Sequence, residues 1–302
     1  MKTRRVGFVG VGAMGRGMVQ SLVRAGFTVT AYDIRAEARA AAASWGATAV
    51  GALPGVAAGA EAVRSSLPDP ATVEAVALGP DGLSTAMRPG SVYIDLSSIE
   101  PVTTRRVGAA LAERGVRMLD VPVGKGPAAA AQGDLTLMVG GDPRVVEECQ
   151  EILRALGSSQ FYCGPLGSGV TVKLINNLVS CSAMALDAEA LVLGAKAGVD
   201  LAVLVEVMKT TAADNWHLRN SVEPFVLAGA FAPRFRLALA HKDLGLALRM
   251  GLQLGVALPM GTASHIVHTL AMGAGLGEED QAACVKPLEQ AAGTRARRHP
   301  SA

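Results

Sequence analysis

Residues 10–15 read Gly10-Val-Gly12-Ala13-Met14-Gly15, and their flanks matter more than the glycines themselves. The apolar run Val6–Val9 comes before them with strand character, and Met14–Ala25 continues them with helical character. A second apolar run, Thr28–Tyr32, leads into Asp33. Strand, glycine turn, helix and strand in that order make a βαβ unit. Glycines at this spacing let the backbone turn tightly, approach a pyrophosphate closely and pack the helix on the strand. The helix N-terminus then presents amides and a positive dipole end to the anion. Asp33 would accept hydrogen bonds from adenosine ribose hydroxyls, and its charge would repel a 2′-phosphate. The pattern predicts a dinucleotide site at Gly10, Gly12, Ala13, Met14, Gly15 and Asp33, with NAD (NADH) favoured over NADP. Arg35, two residues on, keeps NADP as the less favoured cofactor.

The alternation continues. Ala36–Trp45 is helical, and Ala62–Ser66, Val92–Asp95, Arg117–Asp120 and Thr136–Val139 have strand character. Such alternation implies an α/β fold, an N-terminal Rossmann-type domain with a parallel-rich sheet. Ligands of open α/β sheets bind at the carboxyl ends of strands. Leu67 and Pro68 end one run, and Ser97 and Ser98 follow another. Leu67 and Pro68 are therefore candidate cofactor contacts, and Ser97 or Ser98 could hydrogen-bond cofactor or substrate, with Ser98 taken as the cofactor candidate and Ser97 as the substrate candidate; a helix N-cap ahead of Pro101 is the competing role for the serines.

Beyond Pro165 strand signals nearly vanish. Val170–Ala197 reads as one long helix, with Ser168 as its N-cap and Gly198 as its stop. Leu201–Thr210, His241–Leu254, Ala263–Met272 and Val285–Ala292 are helical in pattern. This gives a Rossmann domain over 1–165, an all-helical substrate and oligomerisation domain over 166–293 joined by the long helix, and a disordered tail over 294–302. A net charge of +2 does not point to nucleic acid. The four cysteines lack CxxC spacing, His265 and His268 lack an acidic partner at zinc-ligand spacing, and no metal is implied. No stretch approaches about 18 unbroken apolar residues, so a cytoplasmic protein without a membrane partner is expected.

On the long helix, Lys173 and Asn177 are four residues apart and share a face, with Asn176 close to it. Spacing alone favours a lysine that snorkels to solvent. The order of motifs changes that reading. GVGAMG, LPD, DLSSIEP, DVPVGKGPAAAAQGDLTLMVGG, GSGVTVKLINN and HKDLGLAL, over nearly the whole chain, resemble the β-hydroxyacid dehydrogenase family, which includes 3-hydroxyisobutyrate dehydrogenases. The resemblance implies a Rossmann domain plus a helical domain, homodimers or homotetramers, and NAD(P)-linked interconversion of hydroxy acids and their aldehydes. By position it implies that Lys173 is the catalytic lysine and Asn177 the amide beside it. It likewise implies that Lys242 reaches the cofactor, Ser98 lies near the nicotinamide and Asp33 binds the ribose. Asn176 is carried with them as a substrate contact.

One motif departs. Many members read DAPVSGG, where a serine and glycines hold the substrate carboxylate; here Gly124, Lys125 and Gly126 follow DVPV. Members that reduce sulfolactaldehyde are similar in DVPVG plus a basic residue, in VKLINN and in AHKDLG, but carry arginine there. Lysine keeps the charge and loses the bidentate fork. The expected substrate is thus a small anionic aldehyde or hydroxy acid, carboxylate or sulfonate, held at Gly124, Lys125 and Gly126. Lys173 would be general acid in reduction and, when neutral, general base in oxidation. An imine reductase-like enzyme and a catalytically silent dinucleotide-binding protein are the alternative readings.

Overall fold

The computed structural model describes residues 5–298. It divides into two compact units between Lys173 and Leu174, inside the long helix, whereas the sequence placed the break at 165.

Among the described residues the first unit holds one sheet of β1 (Arg5–Val9), β2 (Thr28–Tyr32), β3 (Thr48–Ala49), β4 (Ala62–Ser65), β5 (Val92–Asp95), β6 (Arg117–Asp120), β7 (Val123–Gly124), β8 (Thr136–Gly140) and β9 (Ser159–Gly164). Its order is β3-β2-β1-β4-β5-β6-β8-β7, with β9 on β8. The six strands from β3 to β6 are parallel, and β8 runs antiparallel to both β6 and β7. This is a doubly wound sheet whose order reverses between β1 and β4, which is where such sheets bind ligands. β3, β7 and β9 are additions to the strands expected from sequence. β3 and β7 are two residues each, too short to show a period. β9 has an outward-facing Phe161 and Tyr162 that mask its alternation.

Around the sheet lie α1 (Ala13–Arg24), α2 (Ala36–Ser44), α3 (Leu53–Ala57), α4 (Pro70–Leu78), α5 (Pro101–Ala112), α6 (Pro127–Gln132), α7 (Pro143–Glu148) and α8 (Gln150–Leu156). Four of these, α4 to α7, start on proline, whose fixed φ suits the first turn and whose missing N–H is not needed there. Phe8, Met18, Leu22, Ile94, Leu119 and Leu137 pack in one core cluster, and Val63, Tyr93, Val107 and Leu111 in another.

The long helix is α9 (Ser168–Lys196). Ser168 is its first residue rather than its cap. Asp120, at the end of β6, caps it instead, accepting from Gly167 N at 2.7 Å and Val170 N at 2.8 Å. Burial pushes the Asp120 carboxyl above its ordinary value, while these amides favour its charged form.

The second unit contains α10 (Leu201–Lys209), a π-helical turn Leu218–Leu227 interrupted by Pro224, α11 (Leu237–Leu254), α12 (Pro259–Gly273), a 3₁₀ turn Gln281–Cys284 and α13 (Val285–Ala292). Its core gathers Met184, Ala188, Leu191, Leu218, Val222, Leu237, Ala271 and Val285. By length and composition α9 could cross a bilayer, with a mean hydropathy of 1.6. Here, however, Met184, Ala188 and Leu191 on it are core.

The terminal segment differs from expectation as far as it is described. Ala296 is fully buried, its N–H donates to Glu289, Arg297 pairs with Glu289 at 2.5 Å, and Arg298 N donates to Leu227 O. A run of arginines reads as a solvated tail, but one alanine in a pocket and one buried acid suffice to dock it. The tail expected over 299–302 lies outside the described residues.

Candidate active site

The glycine loop is shaped by three steric demands. Gly10 has φ +90°, and a Cβ there would stand 2.3 Å from Ser66 O. A Cβ on Gly15 would stand 1.9 Å from Gly10 O, so only glycine lets α1 come this close to β1. Gly12 faces open space with nothing within 4 Å, as close approach of a pyrophosphate requires. No side chain caps α1, so its first amides point outward at Gly12, exposed Ala13 and half-buried Met14. The loop fits a dinucleotide.

Asp33 is 7% exposed at the end of β2. Its Oδ2 accepts from Val11 N at 2.8 Å, and its Oδ1 from Arg35 N at 2.9 Å and Arg35 Nε at 3.2 Å. Burial works to raise this carboxyl, but the bonds from Arg35 and Val11 outweigh it and hold it below its ordinary value. The acid is thus ionised and locked to the glycine loop, with Arg35 leaning on it.

Ser97 has a structural role that its sequence position does not announce. It is buried, donates its hydroxyl to Asp95 Oδ1 at 2.6 Å and accepts from Leu67 N at 2.9 Å. It therefore braces the loop after β4 to the loop after β5. Ser65 Oγ also donates to Asp95 Oδ1 at 2.8 Å and meets Tyr93 Oη at 2.6 Å. Asp95 is wholly buried, and desolvation pushes its pKa up to about 6 against these hydrogen bonds. Leu67 is thereby fixed by its own amide; Pro68 is exposed and Ser98 half-buried.

Gly124, Lys125 and Gly126 link β7 to α6. Lys125 has φ +70° and its Nζ lies 2.7 Å from Asp134 Oδ2.

On α9, Lys173 is half-buried, Asn176 exposed and Asn177 6% exposed. Asn177 Nδ2 donates to Asp243 Oδ2 at 2.6 Å, and Asn176 Nδ2 donates to Asn177 Oδ1 at 3.1 Å. Those two bonds fix which end of the amide is which. Lys242 Nζ stands 3.1 Å from Asp243 Oδ1, an ion pair rather than an aligned hydrogen bond. The structure thus brings Asn176, Asn177 and Lys242 together around Asp243, which is 2% exposed. Sequence reading missed Asp243, although it adjoins Lys242; a lone acid on an amphipathic helix carries no local signal of a partner on another helix.

Two family descriptions match the chain. The NAD binding domain of 6-phosphogluconate dehydrogenase covers residues 5–164, and the NAD-binding domain of NADP-dependent 3-hydroxyisobutyrate dehydrogenase covers 167–288. The chain belongs to the β-hydroxyacid dehydrogenase family, as an NAD(P)-binding oxidoreductase. It is 37% identical over 292 residues to 2-(hydroxymethyl)glutarate dehydrogenase of Eubacterium barkeri, covering 97% of each chain. It is also 37% identical over 292 residues to 3-sulfolactaldehyde reductase of Escherichia coli K12, covering 97% of this chain and 98% of that one. The solved 3-hydroxyisobutyrate dehydrogenase of Mycobacterium tuberculosis superposes with a TM-score of 0.88 at 29% identity, over 95% of this chain and 99% of that one.

Proposed function

We propose that this protein interconverts a small aldehyde bearing an anionic tail and the corresponding hydroxy acid, using NAD(H) in preference to NADP(H), with Lys173 as the general acid and base. The observation that carries this reading is the Lys173–Asn177 face of α9, where Asp243 and Asn176 lock the amide of Asn177. The nicotinamide supplies or takes the hydride when bound. In reduction, Lys173 Nζ delivers the proton to the oxygen as it becomes an alkoxide, and its charge stabilises that oxygen. Asn177 gives one amide proton to Asp243, which leaves its second for the substrate oxygen. Lys125 grips the anionic tail. Lys242, aimed by Asp243, is assigned to the cofactor.

Preference for NAD(H) rests on the ionised Asp33: its fixed negative charge opposes a 2′-phosphate, and it already neutralises Arg35. Homo-oligomerisation is supported by the exposed apolar side chains Ile175, Val179, Leu186 and Leu193 on α9. The four cysteines are free thiols, in keeping with a cytoplasmic location.

The test is NADH oxidation with sulfolactaldehyde, succinic semialdehyde, methylmalonate semialdehyde and tartronate semialdehyde, repeated with NADPH and with Lys173→Ala. Turnover of at least one by the wild type, lost in Lys173→Ala while NADH still binds, is expected. A variant that turns over at the wild-type rate would sink the mechanism.

A further inference from the structure

Among the described residues, Lys125 alone combines a side chain with a positive φ. An L-residue persists in that conformation only where its surroundings impose it. Here they do. Gly124 on one side is paired with Thr136 across the β7–β8 ladder, and Pro127 on the other side starts α6. The strained backbone directs the lysine to Asp134.

Asp134 is the fixed partner of the two. Its backbone N–H donates to Ala129 O at 2.9 Å, and its Oδ1 accepts the hydroxyl of Ser158. Lys125 is the mobile partner, a compact charge on a four-carbon stem. Both side chains are over 40% exposed, so the pair is held weakly and another anion can take the place of Asp134.

We propose that Asp134 is a resident counter-ion that Lys125 exchanges for the charged tail of the substrate, which makes Asp134 a specificity residue that tempers the preference of Lys125 for a charged tail. This rests on the reading of Lys125 as the tail grip. A substrate with a full negative charge on its tail replaces one ion pair by another. An uncharged tail leaves the lysine on Asp134 and gains nothing. Because a lysine ammonium imposes no bidentate geometry, carboxylate and sulfonate tails both qualify.

The exchange is testable without turnover. NADH-loaded full-length protein is titrated with 2-(hydroxymethyl)glutarate, the alcohol, so that a dead-end complex forms and NADH fluorescence reports binding. The uncharged analogue 2-(hydroxymethyl)pentane-1,5-diol serves as the control. Asp134→Asn removes the competitor and is expected to tighten binding of the diacid by about two- to fivefold, without change for the triol. Ser158→Ala, which only loosens Asp134, is expected to act in the same direction and less. Lys125→Met is expected to weaken diacid binding about tenfold, and adding Asp134→Asn to it is expected to change nothing further. Unchanged or weaker diacid binding in Asp134→Asn and Ser158→Ala, with Lys125→Met still impaired, overturns the exchange. Equal diacid binding by Lys125→Met and wild type, or none by either, overturns instead the reading of Lys125 as the grip.

Discussion

Asp95→Asn should change how the stability of the first unit depends on pH. Asp95 is wholly buried, and desolvation raises its carboxyl from 3.8 to about 6. A folded pKa above the unfolded one means that the folded state holds the proton more tightly. The stability this contributes is fully present below about pH 4 and is lost as the pH rises through 6. The shift corresponds to about 3 kcal/mol. Asparagine keeps an Oδ1 acceptor for Ser65 and Ser97 but cannot ionise. Two tryptophans make the measurement specific. Trp45 packs against the first unit's core, and Trp216 lies in the second unit. In a Trp216→Phe background, urea unfolding followed by Trp45 fluorescence reports the first unit. From pH 4 to 7, Asp95 protein is expected to lose about 2.4 kcal/mol of this relative to Asp95→Asn. Asp120 titrates in both proteins, and because its charge contributes to the rise at Asp95 the difference reports Asp95 together with its coupling to Asp120. A difference that stays flat, or grows in favour of Asp95 as the pH rises, refutes the argument.

The second unit should drift the other way. Burial holds His217 and His268 down at about 4, so each contributes stability that is present above about pH 6.5 and lost as the pH falls through 4; Asp187, raised by burial to about 6, opposes one of them. Trp216 fluorescence in Trp45→Phe protein should therefore show stability rising from pH 4 to 6.5, and a falling curve would contradict it. Gly15→Ala, which puts a methyl on Gly10 O, should abolish NADH binding in a fluorescence titration; binding within about twofold of wild type would show that the turn yields. Asp33→Ser should raise the NADPH-to-NADH ratio of kcat/KM by at least about tenfold, and an unchanged ratio would remove Asp33 from cofactor choice. Asp243→Ala strands the buried amide of Asn177 and should lower kcat by about 10²-fold with NADH binding retained; a kcat near wild type would show that the lock is dispensable.

What could be read in advance was whatever one segment states by itself. The loop at Gly10–Gly15 declares its steric needs within six residues, and α9 declares its length by its composition. What escaped was pairing over distance. Ser65, Asp95 and Ser97 make one brace from the ends of two strands, yet in sequence Ser97 looks like any serine ahead of a proline. Asp120 reads as part of a strand-end motif, and only the folded chain shows it capping a helix that begins 48 residues later. Asp134 resembles a turn residue until Lys125 is seen to reach it. The π-helical turn Leu218–Leu227 carries helically spaced apolar residues at Leu218, Val222, Phe225 and Val226, but Pro224 within it reads as a helix breaker. Arg64, fully buried with no hydrogen-bond partner among the described residues, carries no signal in the sequence that sets it apart from a surface arginine.

The sheet itself separates two kinds of change. The cofactor loop grows from β1, which β2 and β4 bind on both sides, so a shifted residue would disturb both neighbours. The Lys125 loop hangs on β7, which is held by only two residue pairs, Val123 with Leu137 and Gly124 with Thr136. Rewriting that short ribbon leaves the parallel strands untouched. With Lys125 as the tail grip proposed above, descendants of such a chain would change the acid they accept by a few substitutions there, while keeping the redox apparatus they inherited.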